Sequence, residues 1–543
     1  MAFQDTLSNE VDAIFERWDK IDRPGAAVGI IDQGKLIYKK GYGMANLEYD
    51  VPITTSTPFH VASLAKQFTA FSILLLQEDG LLNLDDAIQQ YIPEIPDFGT
   101  TITLRHLITH SSGLRDQSHL LWLAGYRPDD VITKDHVLSL IANQKELNFP
   151  AGEESLYSNT GFILLAEVVA KISGRSFSQF TSERIFEPLG MTNTCFYEDQ
   201  GKILKNRAYS YYNDQEQLKT RTLSATVVGS SNLYTTVDDL AKWVLNFENI
   251  KIGSSLILHT MNKEFFLANG EPARGAFGQY VGTYEGIDKI DHDGAEGAFR
   301  AYLGRFPNQS FSVIVLSNNA EIDATIVGLR IAKSYLQEHF QTQDLSTKEQ
   351  NLMHKKLSTK TLKTYEGHYW NDNFQHKTHI YIEKDTLYFS KFRGKLLKMA
   401  AISKNEFQIV GVQDDIRLTI VNKEGHKSMI MTMNGSNTQN YEFYEQYNYT
   451  DEDWKQIKGN YFSEELQTVY TIKVTESNVI ANHWRLGQVE LTRLKGDLFS
   501  GNRGYFSEVE FVRDSNSNII GFRVSNGRVR KLLFSKRNDL DLH

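Results

Sequence analysis

The sequence predicts an α+β protein, with one sheet flanked by helices followed by two small β-domains. Three observations lead there. Strand-like stretches near residues 26–42 and 289–316 bracket a long helical and loop-rich interval, so one sheet draws on both ends of the leading unit. Beyond Gln341 the pattern changes to short alternating segments separated by turn residues, as in antiparallel barrels or sandwiches. That second half also repeats in order. Tyr365-Glu366-Gly367-His368-Tyr369 is echoed by Ile457-Lys458-Gly459-Asn460-Tyr461, Thr378–Ile382 by Tyr470–Val474, and Phe407-Gln408-Ile409 loosely by Asp497-Leu498-Phe499.

The elements follow in order. Asp5 to Trp18 reads as an amphipathic helix, with Leu7, Val11, Ile14, Phe15 and Trp18 at helical spacing. Pro24-Gly25 ends it, and strands at Ala26–Ile31 and Leu36–Tyr42 surround the turn Asp32-Gln33-Gly34-Lys35. Ser63 to Leu76 is a helix apolar on nearly every side, so it is buried, with a stop at Glu78-Asp79-Gly80. Short helices follow at Arg105–His110 and Gly161–Ile172, the latter closed by Ser173-Gly174. Strands return at Lys289–His292, Gly297–Phe306 and Phe311–Leu316 before a helix at Ala324–Leu336. The domain reading is 1–340 for the leading unit, 341–355 for a polar linker, and 356–447 and 450–538 for the barrels.

Bulk composition narrows the function classes. At 543 residues the chain exceeds one core, and 41% hydrophobic with 23% charged residues is ordinary for a globular protein. A net charge of −9 gives no reason to expect nucleic acid or an anionic membrane as partner. The single cysteine, Cys195, cannot form an internal disulfide. No apolar run reaches the ~18 residues of a membrane span, and the first residues lack the layout of a secretory signal. As written, the chain reads as cytoplasmic; a periplasmic or secreted protein with its signal removed would look the same.

Chemistry concentrates at three places. Ser63 and Lys66 lie three apart at the start of the buried helix, where the serine oxygen and the amine share a face. Burying an unpaired ammonium is expensive, so the lysine needs an assignment. A serine nucleophile served by a desolvated lysine supplies one, with the helix N-terminus favouring negative charge on the oxygen. The S-x-x-K spacing is expected by chance about once or twice in such a chain; this is its single occurrence. The second place is Tyr157-Ser158-Asn159, after Pro150-Ala151-Gly152 and at a helix entry. A phenol beside a lysine can relay a proton from the serine to a leaving group, and Asn159 can donate near Lys66 or to a substrate carbonyl. Y-x-N recurs at Tyr211 and Tyr369, so position rather than pattern selects Tyr157. The third is His292-Asp293-Gly294-Ala295, the one H-x-G in the chain. Gly294 points to a close approach by a ligand, and Asp293, poor strand material, to an exposed edge.

S-x-x-K, Y-x-N and H-x-G in this order resemble the serine β-lactamase and penicillin-binding-protein family. The branch most resembled contains class C β-lactamases, D-aminopeptidases, D,D-carboxypeptidases and esterases. Gly41–Leu47, Leu104–Leu114, Phe186–Met191 and Leu233–Leu240 are also similar to stretches of that family, so the likeness spans roughly residues 8–338. The resemblance implies an antiparallel sheet flanked by helices plus an all-helical lobe. It implies Ser63 as the acylated nucleophile, Lys66 and Tyr157 as the proton-transfer pair, and no metal or organic cofactor. Asn159 would help bind the substrate amide, His292 would line the opposite wall, and the N–H groups of Ser63 and Ala295 would form the oxyanion hole. A catalytic unit followed by two lipocalin-like β-domains is similar to the D-aminopeptidase arrangement.

His-Asp-Gly departs from the usual lysine or histidine, threonine, glycine triplet. An aspartate there repels a carboxylate and attracts an ammonium. The expectation is a preference for free-amine substrates that Asp293→Thr weakens. No motif places an additional deacylating glutamate, so efficient β-lactam hydrolysis is not expected. The reading is a hydrolase for short peptides or other small substrates, with a homo-oligomer admitted. Carboxylesterase or weak β-lactamase activity is the alternative, and a non-catalytic penicillin- or peptide-binding protein the competitor of another class. His106 and His110, four apart on a helix, have a metal-capable spacing, but Leu107 stands where a metalloprotease has glutamate.

Overall fold

A computed structural model describes residues 2–339, 355–371, 376–391, 395–412, 415–423, 426–433, 437–444, 451–475 and 478–537. The predicted linker lies outside these apart from its last residue, as does the side chain of Leu7. The described chain forms two compact units.

The first unit is built on a six-stranded antiparallel sheet. Helix α1 (Ala2–Phe15) leads into β1 (Ala26–Asp32) and β2 (Lys35–Tyr42). The remaining strands come from the far end of the unit: β3 (Tyr280–Tyr284), β4 (Ile287–Glu296), β5 (Phe299–Phe306) and β6 (Phe311–Ser317). The order is β3-β4-β5-β6-β1-β2, with β1 against β6 from Ala26↔Ser317 to Asp32↔Phe311. Closing β1 onto β6 is the sheet expected from both ends. Val11, Phe15 and Trp18 of α1 and the turn after it pack with Ile331 of the last helix (Ala324–Tyr335) on Val28, Tyr302, Val313 and Val315. These buried apolar side chains stabilise by roughly 1.5–3 kcal/mol each relative to exposure. Between Val51 and Thr235 strands occur only as two- to four-residue pieces among helices.

Two details set the site. A single 3₁₀ turn at Ala62–Leu64 carries Ser63, and helix α2 proper runs Ala65–Glu78. Every residue from Ala65 to Leu76 is buried, and Gly80 takes φ +72° just past the end. In addition, β3 rather than β4 is outermost in the sheet. The β3–β4 ladder stops at Tyr280↔Asp291, whereas β4–β5 continues to Glu296↔Phe299. Residues 292–296 are therefore a locally free edge on a strand whose first half is covered.

The second unit holds two closed eight-stranded antiparallel barrels, Gly367–Tyr444 and Gly459–Arg537. The repeat seen in the sequence has a physical basis. A short helix precedes each barrel, at Thr359–Lys363 and Asp451–Ile457. Gly367 and Gly459 then take φ of +143° and +140°, a region that favours glycine. Tyr369 and Tyr461 each send the hydroxyl back to the carbonyl four residues earlier, Tyr365 and Ile457, at 2.8 Å. Ile380 and Ile472 face those glycines in the same register. Buried rings occupy the second barrel's interior, with Tyr470, Phe506, Phe522 and Phe534 packing at centroid separations of 4.8 to 6.0 Å. No helix among the described residues is long and apolar enough to cross a membrane.

Candidate active site

Lys66 is fully buried, yet its amine is surrounded by acceptors. Nζ lies 3.0 Å from Ser63 Oγ, 2.8 Å from Asn159 Oδ1 and 2.7 Å from the Ser230 carbonyl. An ammonium can donate to all three. A neutral amine donates to the two carbonyl oxygens and turns its lone pair on the Ser63 hydroxyl, the geometry of a general base. The ring of Tyr157 covers the same amine, 5.0 Å from Nζ to the centroid.

The Tyr157–Asn159 turn is held from below. Asn159 opens the helix Asn159–Ser173, and its N–H donates to Asp116 Oδ2 at 2.8 Å. Asp116 is fully buried. Asn159 Nδ2 donates to Ser118 Oγ at 3.3 Å, so its carbonyl end, not its amide nitrogen, faces Lys66. His110 secures the other side. Its Nδ1 accepts the Ser158 N–H at 3.1 Å, its carbonyl accepts the Leu156 N–H at 2.9 Å, and its ring stacks on Tyr157 at 4.4 Å. His106 instead caps a helix. Its Nδ1 accepts the Thr103 N–H, and Thr103 Oγ1 accepts the His106 N–H, closing a capping box. The two histidines thus serve two pieces of backbone.

The free stretch of β4 forms the other wall. His292 Nδ1 lies 2.5 Å from the Asp293 carbonyl, so Nδ1 carries the proton and Nε2, 3.5 Å from Tyr157 Oη, presents a lone pair. Burial, with the Lys66 charge adding to it, pulls the His292 pKa down to about 4, although Asp293 opposes the shift. The imidazole is neutral at ordinary pH. The unfolded chain, with a histidine pKa near ~6.5, binds the extra proton first as pH falls. Stability from this group is therefore complete above about pH 6.5 and is lost as pH drops toward 4, by a few kcal/mol at most. In His292→Gln, urea-unfolding free energies measured between pH 7 and 4 should fall less steeply than in the wild type.

Gly294 has its close approach, but the partner is backbone. A Cβ there would lie 2.3 Å from the Val61 carbonyl oxygen. The missing side chain lets β4 press on the turn carrying Ser63, where Ala62 already holds a left-handed φ of +48°. Gly294→Ala must push strand and turn apart. The expected result is a fall of about 100-fold or more in kcat/KM, since a displacement near 1 Å costs that much, with a lowered Tm. Asp293 and Ala295 point to the opposite, exposed face of the strand. In the sequence His110 stands in the family-like stretch Leu104–Leu114 and as one of a spaced histidine pair, while Asp116 and Ser230 belong to no motif. Ser230 acts through its carbonyl, which leaves no side-chain signature.

A sequence profile described as Beta-lactamase matches residues 11–332. The chain belongs to the β-lactamase family. Its fold is that of the β-lactamase-related serine hydrolases, followed by two barrels. Penicillin-binding protein 4* of Bacillus subtilis (strain 168) is 26% identical over 444 residues, covering 78% of this chain and 96% of that protein. Among solved structures, the octameric penicillin-binding protein homologue from Pyrococcus abyssi has a TM-score of 0.55 at 22% identity, over 81% of this chain and 99% of that one. The D-amino acid amidase of Ochrobactrum anthropi SV3 superposes with a TM-score of 0.52 at 20% identity, over 62% and 99%. In this β-lactamase-family unit, the turn of Ser63, the buried Lys66 and the free edge of β4 meet at one place.

Proposed function

We propose that the chain is a serine hydrolase that passes through an acyl-enzyme on Ser63 and cleaves short peptides or amides with a free amine, in the manner of a D-aminopeptidase. One observation carries this reading: two carbonyl acceptors hold the buried Lys66 amine against Ser63 Oγ. Ser63 Oγ bonds to the substrate carbonyl carbon as its proton passes to Lys66. The N–H groups of Ser63 and Ala295 take the oxyanion. Tyr157, between Lys66 and His292, gives its hydroxyl proton to the leaving nitrogen as the C–N bond breaks and takes one back from the Lys66 ammonium. Water then cleaves the ester by the reverse route. Asn159 orients Lys66 and the substrate amide, while His292, neutral, accepts from Tyr157. The same geometry serves an ester or, slowly, a β-lactam.

The test compares D-alanine p-nitroanilide with its N-acetylated form, using Ser63→Ala as the blank. Ser63-dependent turnover of the free amine is expected. Cleavage of neither anilide with rapid hydrolysis of a p-nitrophenyl ester assigns an esterase. Fluorophosphonate labelling of Ser63 without turnover of any substrate assigns a binding protein. Undiminished hydrolysis by Ser63→Ala would sink the nucleophile.

A further inference from the structure

We infer that Glu296 is the receptor for a primary ammonium group on the acyl half of the substrate; this rests on the hydrolase reading above. Side chains alternate along a strand, so His292, Gly294 and Glu296 share one face of β4 and Asp293 the other. His292 reaches Tyr157, and Gly294 covers the Val61 carbonyl just before Ser63. Glu296 comes next, about 7 Å farther along the free edge. That separation lies within the combined reach of a glutamate side chain and an aminoacyl group whose carbonyl sits at Ser63.

The Glu296 carboxylate is fixed but not neutralised. Ser231 Oγ donates to Oε2. The buried His60 places Nε2 3.9 Å from the same oxygen. His60 Nδ1 accepts the Ala62 N–H at 3.3 Å, tying the carboxylate's neighbour to the residue before the nucleophile. Burial lowers the His60 pKa against the pull of Glu296, so the imidazole brings no standing positive charge at neutral pH. No lysine or arginine among the described residues pairs with Glu296, whose side chain is 35% exposed. A held, half-open carboxylate beside a nucleophile and without a cation of its own is complementary to an ammonium. Asp293 is also acidic, but its side chain leaves the face that carries His292 and Gly294.

The test uses D-alanine methyl ester and N-acetyl-D-alanine methyl ester, which both an amidase and an esterase of this type can hydrolyse. kcat/KM is measured for the full chain, Glu296→Gln and Asp293→Asn. The ratio of free-amine to N-acetyl kcat/KM should fall at least tenfold in Glu296→Gln, chiefly through KM for the free amine. Fluorophosphonate labelling of Ser63 reports that the variant is folded. Should it fail to label, Ser231→Ala, which keeps the carboxylate but releases it, must lower the same ratio. A ratio unmoved by these changes, a wild-type ratio near one, or a loss confined to Asp293→Asn overturns the assignment. Failure of the underlying reading is distinguishable: Ser63→Ala would then hydrolyse both esters at the wild-type rate.

Discussion

Lys66→Met should lower kcat/KM by about 10⁴-fold or more and abolish fluorophosphonate labelling of Ser63, while circular dichroism shows a folded chain. The magnitude follows from the base and nucleophile acting as a unit: an unactivated serine is weakly nucleophilic, and removing its base costs nearly as much as removing the serine itself. Methionine is close in volume to lysine's stem, so α2 keeps its packing against Asn159–Ser173. Stability reflects two opposed effects. Replacing the buried amine by a thioether removes the cost of desolvating a polar group. Leaving Asn159 Oδ1 and the Ser230 carbonyl without their donor costs about 1–3 kcal/mol each. The net change in unfolding free energy should stay within about 3 kcal/mol, far too little to explain the kinetic loss. A variant that labelled and turned over normally would remove Lys66 from the mechanism.

His110 should separate a positioning role from a merely structural one. Its ring braces the phenol of Tyr157, and its Nδ1 holds the backbone immediately after it. His110→Ala should reduce kcat by about 100-fold with little change in KM, as expected when a proton-transfer group drifts by about 1 Å. Two further variants divide the effect. His110→Asn offers an acceptor for the Ser158 N–H and suits the left-handed φ of +56° at this position. His110→Phe retains the stack but supplies no acceptor. Recovery of most activity in the asparagine variant assigns the role to the hydrogen bond, and recovery in the phenylalanine variant to the ring. Equal loss of Tm and kcat in all three would mean that His110 only supports the fold.

The groups with chemistry were readable wherever they belong to one local run. Ser63 and Lys66 share a helical turn, Tyr157 and Asn159 a loop, and His292 and Gly294 a strand; each run constrains its own geometry. Alternating apolar residues likewise exposed the barrels, and Tyr369 and Tyr461 exposed their repetition, because each tyrosine answers a local backbone need. Groups contributed from elsewhere in the chain were not readable. The Ser230 carbonyl reaches Lys66 across 164 residues and has no side-chain identity to recognise. Asp116 belongs to no sequence motif and His110 reads as one of a spaced histidine pair; the fold lays the Tyr157 turn upon both. Gly294 looked like a glycine making room for a ligand, yet it makes room for Val61.

The amino-acid sequence by itself determined the layers of this protein and the short-range pairing of its reactive groups, because helix periodicity, strand alternation and three-residue spacings are local properties. Only the tertiary structure decided where β3 stops covering β4 and which carboxylate on that edge shares the face of His292 and Gly294. Strand register and ladder length are set by long-range packing, and a one-residue shift would exchange the faces of Asp293 and Glu296.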